Sequence, residues 1–515
     1  MVKIRAALFL FCTLVVASCV WIVETGSVDE VETDNPLPQA ITAPMKVFLQ
    51  NGDMVLYTEG AQVWQDRIRG RGARYTLDRR RSAMVEDLPL DSIIGIEAFR
   101  SDVNDLASAA LTIGATAVTA VGGVAIFKAL FGSCPTFYAS SENGGALQAE
   151  GFSYSIAPQA EGIDLDRLYV TPDADGVLRL EVRNEALETH YINQVELVAV
   201  EHAPGVHVVP DAEGQPLGTS VPAAPVQAVD RDGRLVLAEI VAEDDLAFAS
   251  TESRIRAATT EDSRDYLDLV FPRPDGDEAV LVLNLRNSLL NTVLYYDLML
   301  GTTGVQAVNW WGGSLEGIGA AIDMARWYAE TLGLTVQVPS GDSWQDVTRM
   351  SGTGPIAWKE IGVRVPMPQE GPVRVRLSFL ADDWRLDQVS LAAPAEPLTA
   401  KRIPLHRVVT GIGEGDQDAA TRLARPDDQY FVTYPGTSAT LEFLTEGPEA
   451  GMTATYLLAT QGYYIEWVRP EWIRRAQTTA PFQSGPGSVE SLMALWLDKK
   501  DTLEDEFFGS KIPVR

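Results

Sequence analysis

Beyond residue 45, apolar and polar residues alternate in short runs, and the runs are separated by turn-forming residues. In MKVFLQNGDMVLY (45–57) two apolar runs flank Asn51-Gly52, a pair that readily turns one strand back on another. ARYTL and IIGIEAF add further strands, so 45–104 predicts a small β-barrel-like domain. VLRLEVRN, INQVELVAVEH, RLVLAEI, YLDLVF and AVLVLNLRN alternate between DADG, DRDG and PDGD turns. Alternation with one wet face belongs to antiparallel sheet, and the region 132–287 predicts a β-sandwich-like domain. SLLNTVLYYDLML and LEGIGAAIDMARWYAETLG change to helical spacing, giving a helical insertion over 288–339. LTVQV, PIAWKEIGVRV, PVRVRLSFL, WRLDQVSLA, ATLEFL and TATYLLATQGYYIEWV predict a second β domain over 340–470. A helical tail around SVESLMALWLDKK closes the chain over 471–515. The expected fold class is mainly β with some α: a small N-terminal β-barrel-like domain, an apolar helix, then two antiparallel β-sandwich-like domains with intervening helices.

Two apolar segments break this texture. Lys3 and Arg5 precede Ala6–Val16, and Val16-Ala17-Ser18-Cys19 sets small residues before a thiol. That arrangement looks like a bacterial lipobox, with Cys19 as the lipid-attachment residue of a signal peptide over 1–19 and Val where Leu is usual. An uncleaved signal anchor is the other reading, because Ala6–Val23 is 18 residues without a charge. Both readings leave the acidic linker 20–44 outside the cytoplasm, since the positive residues stay behind. Leu106–Phe127, within 105–131, is 22 residues without a charge between Asp105 and Lys128. Its length makes it a possible transmembrane helix; an interfacial helix, a bent hairpin and a buried core helix are the alternatives.

The sequence Ser133-Cys134-Pro135-Thr136-Phe137-Tyr138, then NEALETHYINQVELVAVEHAP and ATQGYYIEWVRPEW, resembles a group of bacterial envelope proteins and lipoproteins. In that group a signal sequence, a small β domain, a Gly/Ala-rich apolar segment and a Ser-Cys-Pro-led sandwich follow in order. The resemblance covers the layout of most of the chain but only these patches of sequence. It implies architecture and envelope location, and carries no activity and no site residue.

Charge and cysteine content narrow the possible functions. A formal net charge of −30 over 515 residues repels a phosphate backbone, so no nucleic-acid partner is expected. With only Cys12, Cys19 and Cys134, core burial rather than disulfides must stabilise the fold. One stretch inverts the charge: Arg67, Arg69, Arg71, Arg74, Arg79, Arg80 and Arg81 face only Asp66 and Asp78 locally. These arginines are candidates for contact with an anionic surface, against the default of a solvated hairpin paired with acidic neighbours.

Candidate chemistry is sparse. His190, His202 and His207 are the metal candidates, in a spacing that matches no ligand signature; ordinary strand and loop histidines are the default. The Asp-Gly clusters at 173–176, 230–233 and 275–277 read as turns rather than calcium loops. Gly411-Ile412-Gly413-Glu414-Gly415 puts acidic residues where a pyrophosphate would sit and is set aside. No catalytic residue and no cofactor is nominated. The chain is expected to be a membrane-anchored structural or binding protein of the bacterial cell envelope, with membrane lipid and another envelope protein or polymer as partners. The alternative is an envelope-polymer hydrolase using an acidic pair that the sequence does not reveal.

Overall fold

The computed structural model describes residues 38–76, 81–98, 134–140, 145–156, 158–244, 246–260, 262–312, 326–411, 415–480, 482–485 and 487–514. The fold is mainly β with some α, 46% strand and 18% helix, as the alternation predicts. Cys19, Arg79, Arg80, the signal segment and Leu106–Phe127 lie outside the described residues.

The N-terminal unit is a seven-stranded sheet. Met45–Leu49 and Met54–Tyr57 pair across the expected Asn51-Gly52 turn, with Phe48 opposite Met54 and Gly52 at φ +85°. The sheet stays open rather than closing into a barrel. Its edge strand Ile93–Ala98 bridges outward instead, with Ile96 and Val468 exchanging two backbone hydrogen bonds of 2.9 Å. Closure is unnecessary because both faces are covered, which also explains why these runs are continuously apolar. Met45, Val47, Val55 and Tyr57 pack with Leu300, Val308, Trp472 and Ile473 on one face. Phe48, Met54, Leu56 and Ile94 pack with Tyr434 and Trp467 on the other, where Phe48 stacks on Trp467 at 3.8 Å.

Two sandwiches follow, and one is inserted into the other. The outer sandwich sets the sheet of Gly162–Arg167, Thr453–Glu466, Glu188–His202 and Thr399–Pro404 against that of Arg407–Thr410, Ser438–Leu444, Val177–Arg183, Thr136–Ala139 and Leu147–Glu150. Leu180, Val182, Leu197, Leu441, Phe443 and Leu458 fill it. The inner sandwich sets Gln227–Asp230, Arg264–Phe271, Val373–Leu380, Leu334–Ser340 and Ser343–Met350 against Lys359–Pro366, Glu278–Asn287 and Trp384–Ala392. Leu269, Phe271, Leu283, Leu377, Phe379 and Trp384 are among its core. The chain leaves the outer sandwich at His202 and returns at Thr399, where Glu201 pairs with Thr399. Tandem β units over 132–287 and 340–470 are therefore corrected to nested ones. Alternation reports which face of a strand is wet, not which distant strand lies beside it.

The helices form a third layer. Leu290–Gly312 follows the inner strand Glu278–Asn287 as a chain of short helices, one of them π-helical over Val293–Leu300. The tail contains Pro470–Ala476, with Pro at its first turn, and the 22-residue helix Ser488–Gly509. Leu492, Trp496, Leu503 and Phe507 recur at helical spacing and pack on Ile255, Leu290, Leu294 and Leu380. The opposite side of this helix carries Asp498, Asp501 and Asp505, all exposed. The transmembrane helix expected from the sequence is corrected here: among the described residues no helix is long and apolar enough to cross a membrane. The longest of them divides its surface into an apolar stripe and a charged one.

Candidate functional site

Among the described residues, charged side chains form sealed networks and line a cleft. At the end of the outer sandwich Glu188 and Glu466 are register partners on adjacent strands, both fully buried. Burial pushes Glu188 up to about 8 and Glu466 well above the carboxylate range, while Arg469 pulls the other way. Arg469 donates to Glu466 at 2.5 Å and lies over the rings of Tyr296 and Trp472. The Tyr296 hydroxyl donates to Glu466 at 3.0 Å. His190 is fully buried, 2.7 Å from Glu188, and burial pushes its imidazole down to about 3, so it is neutral.

A second network joins the two sandwiches. Lys359 of the inner one reaches Asp164 and Asp166 of the outer one, the latter at 3.1 Å. Arg167 pairs with Glu360, which also meets His207 at 2.8 Å and the Tyr169 hydroxyl at 3.1 Å. Burial would raise Glu360, but the His207 hydrogen bond and the Arg167 charge hold it below the usual range. Nearby, buried Glu150 accepts the backbone N–H groups of Ile356 and Ala357 at 2.9 Å each, and Cys134 donates its thiol to it at 3.2 Å. Gly354, at φ +81°, makes this approach possible, since a Cβ there would sit 2.5 Å from Glu150.

The three histidines nominated from sequence are not brought together. His190 and His202 share one strand, about 40 Å apart at strand rise, and a bulge between Ile192 and Gln194 breaks their common facing. His202 bonds Thr453 and Thr455, and His207 belongs to the network between the sandwiches. Among the described residues no group of three or more His, Cys, Asp or Glu could hold a metal ion. The arginines Arg67, Arg69, Arg71 and Arg74 sit on Arg67–Tyr75. Arg67 pairs with Asp66 and Asp87, Arg69 with Asp87, and Arg74 with Asp53, while Arg71 is exposed. Arg81 starts the neighbouring strand. The Asp-Gly clusters at 173–176 and 230–233 are turns: Asp173 accepts the N–H groups of Asp175 and Val177, and Asp230 those of Asp232 and Arg234.

The cleft, of about 160 Å³, lies where the inner sandwich meets the C-terminal helix. Arg286 and Ser288 come from the end of the strand Glu278–Asn287, and Asp382 and Arg385 from the turn into Trp384–Ala392. Trp496, Lys500 and Glu504, at i, i+4 and i+8, form one face of the helix Ser488–Gly509. Asp382 is buried at φ +63° and organises the floor: its backbone N–H donates to Ser250, Trp496 donates to its carboxylate at 2.9 Å, and Arg385 donates at 2.7 Å. Arg286 lies over the Trp358 ring at 5.1 Å, donates to the Pro355 carbonyl, and meets Glu504 only at 3.5 Å. Burial pulls Arg286 below its ordinary range, and Arg385 adds repulsion. Among the described residues Lys500 pairs only with its exposed neighbour Asp501. Sequence reasoning missed this site, because Arg286, Arg385 and Lys500 are far apart along the chain and each sits in an ordinary strand or helix context.

No protein-family model matches the chain, and no curated protein matches it. Solved structures with some likeness include an allantoicase, at 10% identity over 52% of this chain and 93% of that one, with a TM-score of 0.18. A GH31 alpha-xylosidase from Xanthomonas citri gives 9% identity over 82% and 34%, TM-score 0.16. A structure of infectious bursal disease virus, Gx strain, gives 10% over 90% and 86%, TM-score 0.13. Likeness at this level carries no argument about fold or activity.

Proposed function

We propose that this chain is a binding protein of the bacterial cell envelope, held at a membrane by a lipid on Cys19 and exposing its nested sandwiches outside the cytoplasm. The observation that carries the binding part is the cleft at Arg286, Arg385 and Lys500: cations gathered in a recess of a protein whose formal net charge is −30. Evidence for the anchor is Lys3, Arg5, the apolar run and the small residues before Cys19. Membrane lipid and a further envelope protein or polymer are the partners in this reading. A hydrolase would need two carboxylates facing an accessible cleft. The pair Glu188 and Glu466 is fully buried and engaged with Arg469, Tyr296 and His190, which favours a structural role for it.

The test is to express the full chain in a bacterial host with labelled fatty acid and to fractionate the cells. Label and membrane association are expected, both lost in Cys19→Ser, with capture of an envelope component by crosslinking from whole cells. Recovery of unprocessed chain among soluble cytosolic proteins would overturn the reading.

A further inference from the structure

Taking the binding reading as its base, we infer that the cleft at Arg286, Arg385 and Lys500 recognises a small carboxylic acid that also carries a hydrogen-bond donor. Arg385 uses one terminal nitrogen, Nη1, for the Asp382 carboxylate and for backbone carbonyls, and its other guanidinium nitrogens make no hydrogen bond among the described residues. Arg286 gives Nη1 to a carbonyl and holds Glu504 only loosely. Among the described residues Lys500 has a single, exposed partner. Planar guanidinium edges suit a planar carboxylate, which they grip with paired N–H donors.

The same cleft argues against a more highly charged anion. Asp382 lies in its floor, already held from two sides, and Glu504 stands at its rim with its side chain 64% exposed. Three cations face two carboxylates here, an excess of one positive charge that a carboxylate monoanion neutralises and a phosphate dianion exceeds. Glu504 is placed to accept an N–H or O–H from the rest of the ligand. A volume of about 160 Å³ is that of a cavity able to take a benzene-sized group, so the recognised portion is small. Acylated amino acids and the acid ends of peptides or sugar acids share this chemistry.

Calorimetric titration of the full chain with N-acetylglycine tests the inference, beside its neutral methyl ester and inorganic phosphate. Saturable binding of the acid is expected, with no binding of the ester and weaker binding of phosphate. Lys500→Gln, at the rim, should weaken the acid about tenfold with an unchanged melting temperature, the loss of one charge-assisted hydrogen bond. Arg385→Gln should lose more, and Lys500→Gln keeps the test valid if that variant misfolds. Equal binding of acid and ester, tighter binding of phosphate, an unaffected Lys500→Gln, or no saturable binding at all would overturn the inference. A chain that fails here yet stays lipidated and captures an envelope component leaves the broader binding reading standing.

Discussion

Arg469 and Arg385 each stand beside a buried carboxylate, yet their surroundings differ. Arg469 is 3% exposed, and Glu466, Tyr296 and Trp472 enclose its guanidinium. Arg385 gives one nitrogen to Asp382 and turns the others toward an open recess. Around Arg469 most polar groups are paired inside the protein, although the buried Glu188 Oε2 and His190 Nδ1 have no hydrogen-bond partner among the described residues. Around Arg385 the donors outnumber their internal acceptors, which a protein retains only at modest cost where water or a ligand can reach them. Charge alone therefore does not mark a site; charge with donors facing solvent does.

The contrast can be broken most forcefully at the sealed end. Arg469→Ala removes one partner of a buried pair and should cost about 3–5 kcal/mol in chemical denaturation. Gly354→Ala puts a Cβ onto Glu150 at a positive φ and should cost about 2–3 kcal/mol, again read from the denaturation midpoint.

Glu188→Gln sharpens the comparison through pH. The folded carboxyl is raised to about 8 from an ordinary value near 4.5, so the folded state binds the extra proton between these values. Its stabilising contribution is complete below about pH 4.5 and is lost as pH rises through 8. Wild-type stability should fall relative to Glu188→Gln by about 3–4 kcal/mol between pH 5 and pH 8. His190, pushed down to about 3, works in the opposite sense, losing stability only as pH falls below its unfolded value near 6.5. At the exposed end, Lys500→Gln and Arg67→Ala should each stay within about 0.5 kcal/mol of wild type in thermal melts.

Much of the strand content was readable because period-two alternation follows from which face meets water: Val177–Arg183 and Arg264–Phe271 alternate as their burial does. The Asn51-Gly52 hairpin was readable from turn chemistry. RLVLAEI has the same pattern but makes only one bridge, Val229 to Leu235, before a short 3-10 turn over Leu237–Glu239, because the chain there crosses to the edge of Trp384–Ala392. The nesting was not readable, since an entire sandwich lies along the chain between the register partners Glu201 and Thr399. The cleft was hidden for the same reason. Trp496, Lys500 and Glu504 share a helix face that sequence can show, but the Arg286 and Arg385 opposite them are delivered by tertiary packing.

Amide hydrogen exchange of the full chain, with and without N-acetylglycine, separates the two regions in one measurement. Added acid should slow exchange in 249–255, 382–386 and 496–504, while segments around Glu188, Glu466 and Lys359 exchange slowly in both conditions and do not change. Fast exchange in those sealed segments, or ligand-dependent protection there instead of at the cleft, would contradict the assignment of structure to one region and recognition to the other.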